Sequence, residues 1–191
     1  MNPKLIDFPN QFETDRLIIR SAKPGDGVKV WESVNASRQE LKPWLPFASH
    51  EATVEETEIH IRESYINFLA REDLRLLVFL KETGEFVASS GLHRINWDVR
   101  KFEIGYWIDS RMSGRGYMTE AVEGIARFAF DKMNAQRVEI RCDAENSKSR
   151  AIPEKIGFNL EGILQNNDVN PVTKKLIDTC VYAKVSRQAA D

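Results

Sequence analysis

The residues best placed to do chemistry form one short stretch, Arg111-Met112-Ser113-Gly114-Arg115-Gly116, set between an alternating apolar strand and an amphipathic helix. A helix start leaves its first N–H groups without intrahelical partners, and its dipole favours an anion there. Two glycines let the backbone approach a bulky diphosphate with no Cβ in the way, and Arg111 and Arg115 can add positive charge. The spacing is neither the GxxxxGK[ST] of a triphosphate loop nor the GxGxxG of a dinucleotide loop. Read by itself, the stretch is either an anion cradle or a glycine-rich turn into the helix.

Other reactive side chains offer less. Cys142 and Cys180 lie far apart with no CxxC or Cys/His spacing, which argues against a zinc site or a disulfide framework. Cys142 shares a strand face with Val138 and Ile140 and reads as a small buried apolar residue rather than a nucleophile. His50, His60 and His93 show no metal-ligand spacing, so no metal is expected and the histidines receive no role.

The elements that must position the loop follow from periodicity. Leu17–Arg20 predicts a strand ended by Lys23-Pro24-Gly25-Asp26, with a helix near 26–36 behind it. Pro43 and Pro46 mark a loop that carries Trp44 and Phe47. Residues 53–72 have helical spacing, with Thr53 as N-cap and Glu56 three residues on. Leu74–Leu80 and Phe86–His93 predict a hairpin around Glu82–Glu85. In Lys101–Asp109, Phe102, Ile104, Tyr106 and Ile108 alternate with Glu103, Gly105, Trp107 and Asp109. A helix over 116–132 has the buried stripe Met118, Val122, Ile125, Ala129 and Met133. Gln136–Asp143 is a strand, 147–156 a short helix closed by Gly157, and two strands near 158–166 and 173–184 complete the order. That order, β-α-α-β-β-β-α-β-α-β-β, is α+β. Its strand–helix–strand crossover puts one parallel pair in an otherwise antiparallel sheet.

With 191 residues and no linker, repeat or low-complexity segment, one domain over 1–191 with its core at about 12–185 is expected. A net charge of −2 gives no general attraction to nucleic acid or anionic membrane, so neither is expected as a partner. The first residues lack a basic-then-apolar leader and no apolar run would span a bilayer, which points to the cytoplasm.

The stretch RMSGRG resembles the [QR]-x-x-G-x-[GA] signature of the GNAT superfamily of acetyl-CoA-dependent N-acetyltransferases. Tyr106-Trp107-Ile108, Tyr117-Met118-Thr119-Glu120-Ala121, Asn146-x-x-Ser149, Glu161-Gly162 and the early Leu41–Phe47 are similar to the branch that acetylates N-termini of ribosomal proteins. The likeness covers about residues 12–185. It implies a GNAT-like mixed sheet, mostly antiparallel, with flanking helices and a parallel pair, 102–109 and 136–143, that splays apart. It also implies acetyl-CoA as co-substrate. Main-chain groups of Tyr106, Trp107 and Ile108 would bond the pantetheine arm, and N–H groups from Arg111 through Met112, Ser113, Gly114, Arg115, Gly116 and Tyr117 to Met118 would hold the pyrophosphate. Asn146 would touch the arm near the thioester, or cap the helix that follows it.

Acetyl transfer to an amine needs a polarised thioester carbonyl, a neutral nitrogen and a proton for the departing thiolate. Many superfamily members carry a tyrosine just before Glu154-Lys155-Ile156-Gly157-Phe158, where this chain has Pro153. The ribosomal branch points instead to Ser149 as the acid, with N-terminal capping of a helix over 149–156 as the other reading of that serine. For the base, the branch points to Asp168, which also reads as part of a turn over 166–171, and Glu103 is the alternative. Trp44, Phe47, Trp97 and Trp107 could shape the acceptor site or belong to the core. The acceptor implied is a protein α-amino group, on a ribosomal protein for instance, or else a small-molecule amine. A non-catalytic acyl-CoA-binding module is the third reading. Oligomeric state stays open, a homodimer included.

Overall fold

A computed structural model describes residues 2–186. Eight strands, β1 (Gln11–Glu13), β2 (Leu17–Ser21), β3 (Leu74–Leu80), β4 (Phe86–Asn96), β5 (Lys101–Ile108), β6 (Arg137–Asp143), β7 (Asn159–Val169) and β8 (Leu176–Val185), form one sheet in the order β1-β2-β3-β4-β5-β6-β8-β7. Five helices accompany them: α1 (Gly27–Ala36), α2 (Arg38–Leu41), α3 (Val54–Ala70), α4 (Tyr117–Met133) and α5 (Ser147–Lys155). All neighbouring pairs are antiparallel except β5 and β6, which α4 joins as a crossover. The fold is the mixed α+β sheet that the sequence predicts.

Alternation along the strands sorts their side chains to two faces. On one face Phe102 and Ile104 of β5, Val138 and Ile140 of β6, and Leu74, Leu76 and Val78 of β3 pack against the predicted α4 stripe. All five of its members are buried. Each such fully buried side chain contributes about 1.5–3 kcal/mol relative to exposure. On the other face Leu77, Phe79 and Phe86 meet Val30 of α1 and Ile61 of α3, with Trp107 at the margin. The cap predicted for α3 forms as a full capping box: the Glu56 N–H donates to Thr53 Oγ1 and the Thr53 N–H to Glu56 Oε2.

Three features depart from the sequence reading. β1 is only three residues long and has no periodic signal of its own; it exists because it pairs with β2. α2 is a single helical turn after Ser37. Asp168 lies inside β7, which continues to Val169 after an irregularity between Leu164 and Asp168, and the hairpin turn falls later, at 170–175. Asn166, at φ 51°, takes up the bend, so the Asn-rich stretch distorts a strand instead of ending it.

Candidate active site

The parallel pair is joined at only one end. Lys101, Phe102 and Glu103 pair with Arg137, Val138 and Glu139, and beyond Glu103 the two strands part. β5 stays paired to β4 as far as Ile108, and β6 stays paired to β8 as far as Asp143. Alternate main-chain groups from Ile104 to Ile108 on one side, and from Ile140 to Asp143 on the other, therefore line an open wedge. Strand edges left unpaired in this way suit a ligand that carries amides.

The wedge opens towards the 111–116 loop. Ser110–Met112 form a short 3-10 turn in which the N–H groups of Arg111, Met112 and Ser113 are already taken by Asp109 Oδ1, the Asp109 carbonyl and the Ser110 carbonyl. The loop's free donors therefore begin at Gly114, three residues later than the sequence reading places them. From Gly114 to Thr119 six successive N–H groups have no protein acceptor among the described residues. Gly114 and Gly116 both take φ 78°, a conformation that favours glycine, and Gly116 starts α4.

Arg111 does not extend into this cradle. Its Nε and Nη2 grip the buried Asp109 carboxylate at 2.9 and 2.6 Å, anchoring the loop from below. Burial works against the charge on Asp109, but the Arg111 hydrogen bonds prevail and hold its carboxyl below the usual range. The Ser110 N–H adds a 2.7 Å bond to Ser37 Oγ at the α1–α2 junction. On the other flank Arg16 Nη1 donates to the Arg115 carbonyl and Arg16 Nε to Glu120, while its guanidinium lies over the Tyr117 ring. Thr14 Oγ1 also donates to Glu120 at 2.7 Å. Arg115 keeps an exposed side chain at the loop. Sequence reasoning missed the anchoring by Asp109 and Arg16, because neither the strand-end aspartate nor an arginine about a hundred residues away carries a local signal.

Across the wedge, Asn146 Oδ1 accepts the Ser149 N–H at 3.1 Å, so Asn146 caps α5 and Ser149 sits in its first turn with its hydroxyl uninvolved in that cap. The capping reading of Ser149 is thereby corrected: α5 begins at Ser147, and the upstream asparagine satisfies the free N–H. The Tyr106 hydroxyl donates to the Ser149 carbonyl at 2.8 Å and ties β5 to α5 across the opening. Burial first, then the nearby Cys142 and Tyr182, drives that hydroxyl far above the ordinary tyrosine value, so it stays protonated. Cys142 is pushed up to about 12 by burial and by the neighbouring Cys180, which leaves it a protonated, inert thiol.

The two acidic candidates lie apart in the sheet. Glu103 is at the joined end of the wedge and is bound by Arg94 Nη1 at 3.2 Å. Asp168 is exposed on the outermost strand, where its carboxylate accepts its neighbour's N–H, from Val169, at 2.8 Å. Two residues on, Asn170 Nδ2 donates to the Pro43 carbonyl and brings the last hairpin against the 41–50 loop. Phe47 of that loop lies 6.0 Å, centroid to centroid, from Trp107. A hollow of about 340 Å³ between Pro3, Arg71 and Trp97 shares no residue with the wedge or the loop.

A splayed parallel pair followed by a glycine loop on a helix start would suit an acyl donor with a peptide-like arm and a diphosphate. The chain belongs to the GNAT acetyltransferases: the family model for an acetyltransferase (GNAT) domain matches residues 16–159. It is therefore an N-acetyltransferase by family, and members of this family use acetyl-CoA. The chain is 33% identical over 151 residues to a Bacillus subtilis (strain 168) protein named "Putative ribosomal N-acetyltransferase YdaF", covering 78% of this chain and 80% of that one. Among solved structures, the microcin C7 self-immunity acetyltransferase MccE, in complex with acetyl-CoA and AMP, has a TM-score of 0.85 at 20% identity over 94% of this chain and 98% of its own. RimL, a ribosomal L7/L12 alpha-N-protein acetyltransferase in complex with coenzyme A, has a TM-score of 0.83 at 20% identity, over 90% and 95%. At these identities the two structures show the shared fold.

The residues present fit such a donor. The six free N–H groups from Gly114 to Thr119 would hold its diphosphate, and the β5 edge near Tyr106, Trp107 and Ile108 would bond its amide arm. When bound, acetyl-CoA supplies an activated acyl carbon.

Proposed function

We propose that this enzyme transfers an acetyl group from acetyl-CoA directly to a protein N-terminal α-amino group, one on a ribosomal protein included. The observation that carries the donor half is the open wedge ending on the free N–H groups of the Gly114–Thr119 stretch. The acceptor half rests on the shape of the opposite rim. Trp44 and Phe47 are 36% and 45% exposed, and Phe47 lies beside the wedge-strand residue Trp107, an aromatic surface suited to a chain end. The relative at 33% identity supports the same acceptor class.

Direct attack needs no covalent enzyme intermediate once the two substrates are aligned. The free hydroxyl of Ser149, in the first turn of α5, is the group we assign to protonate the leaving thiolate; the partial positive charge of the helix start favours that role. The contact between Asn170 and Pro43 favours a second reading, a small-molecule amine, because it narrows the acceptor rim. A competition assay separates the two. Peptides beginning with Ser, Ala or Met are offered with a panel of polyamines, amino acids and aminoglycosides, and acetylation is read by mass spectrometry. Higher kcat/KM for a peptide is expected; acetylation confined to the small amines would replace the peptide assignment.

A further inference from the structure

One side-chain pair on the acceptor face takes no part in the wedge contacts or the loop. His93, on β4, forms a 2.7 Å contact through Nδ1 to Asp73 Oδ2, just ahead of β3. A carboxylate can only accept, so Nδ1 carries the proton, and the neutral form of a ring held this way has its bare lone pair on Nε2. Nε2 has no partner among the described residues. The ring is held over two glycines. A Cβ on Gly91 would stand 2.8 Å from Cε1 and 2.9 Å from Nε2, and a Cβ on Gly105 would stand 3.2 Å from Cδ2 and 3.6 Å from Nε2. A Cβ on Gly91 would also stand 2.6 Å from the Leu74 carbonyl oxygen, so a side chain there would meet backbone as well as the ring, and one at Gly105 would crowd the ring.

Gly105 belongs to the part of β5 that has separated from β6, so Nε2 lies beside the open wedge. Side chains alternate along β5, which puts His93's neighbour Gly105 on the same face as Trp107 and the aromatic rim. The ring is 30% exposed and can be reached. Neither acidic candidate combines these properties, since Glu103 is bound by Arg94 and Asp168 stands on the outermost strand.

We propose that His93, oriented by Asp73, is the general base that removes a proton from the acceptor amine. The inference rests on the acetyl-transfer reading above. Nε2 takes one proton from the acceptor ammonium, and the freed nitrogen lone pair forms the bond to the acyl carbon. The carbon–sulfur bond breaks with its electron pair staying on sulfur. Ser149 gives that sulfur its hydroxyl proton and regains one from the second proton that nitrogen loses, and His93 returns its own to solvent. The charged groups around the ring are Asp73, Arg75 on β3, Arg94 on β4, Glu103 on β5, and Glu139 on β6 with its Arg137 partner; α3 presents Ser64, against Arg75.

The test compares wild type, His93→Gln and Asp73→Asn with the best acceptor from the competition assay. For His93→Gln, kcat should fall about a hundredfold or more near neutral pH, with the rise in melting temperature on adding acetyl-CoA retained. The deficit should shrink as pH rises and the acceptor arrives already neutral. Asp73→Asn, which keeps the shape and removes the charge, should lower kcat by a smaller factor. Independently of turnover, 15N shifts of His93 in the wild type should show the Nδ1–H tautomer. A wild-type pH profile in His93→Gln, or the Nε2–H tautomer in wild type, overturns the base assignment while leaving acetyl transfer in place. A wild type that binds acetyl-CoA but transfers to no acceptor overturns both.

Discussion

Gly114 carries the sharpest expectation at the scale of single residues. Its φ of 78° and the open space where a Cβ would stand mean that a side chain there would project from a strained backbone towards the bed of free N–H groups. Gly114→Glu would set a carboxylate where a diphosphate is expected and should remove acetyl-CoA binding. Beneath it, Asp109→Asn would break the grip on Arg111 and should cost about 1–3 kcal/mol in urea unfolding at neutral pH. Asp109's folded value lies below its ordinary 3.8, so its contribution is whole above that pH and lost as pH falls through the lower folded value. The difference between wild type and Asp109→Asn should therefore be constant from about pH 5 to 7 and close in acid as the pH falls below 3.8. The sequence showed the glycines because their chemistry is local. It hid Asp109, Arg16 and the Asp73–His93 pair, whose partners meet only through the folded sheet. Even the short Arg111–Asp109 pair was obscured, because the arginine reads as a free phosphate ligand until its geometry is seen.

At the scale of elements, α5 and the wedge depend on one another. Asn146 caps the helix, and Tyr106 reaches over to the carbonyl of the residue that Asn146 holds. Asn146→Ala should cost about 1 kcal/mol in thermal or chemical unfolding and should also weaken turnover by releasing Ser149. Ser149→Ala leaves both backbone contacts intact, so it should lower kcat with little change in stability or in acetyl-CoA affinity. A Ser149→Ala enzyme with unchanged kcat would remove the proton-donor role. The long elements were legible because their patterns are strong: the five-residue stripe of α4, the alternation of β5 and the capping box of α3 all reappear in the structure. β1 and the course of β7 were not. A three-residue strand has no period to read, and the asparagines of 166–170 mark a bend just as readily as a turn.

For the whole molecule, the architecture divides the labour between two sides of one sheet. The larger core and α4 fix the loop and the wedge, and α1, α3 and the 41–50 loop frame the face where the aromatic rim and His93 lie. The order of elements made that arrangement readable in the chain itself, down to which strand pair would be parallel, whereas the meeting of Asn170 with Pro43 depends on how far β7 and β8 extend and has no sequence signature. Binding that is confined to the folded state raises stability by mass action. Acetyl-CoA at a hundred times its Kd should add about 2.7 kcal/mol, or roughly 5–11 °C in melting temperature for a chain of this size, and NAD or ATP should add nothing comparable.

The most direct measurement is calorimetric titration of acetyl-CoA into the wild type and Gly114→Glu, with circular dichroism to confirm that both are folded. Saturable one-site binding to the wild type, absent from the folded variant, is the expected result. Equal affinity in the two proteins would contradict the placement of the acyl donor on the Gly114–Thr119 cradle.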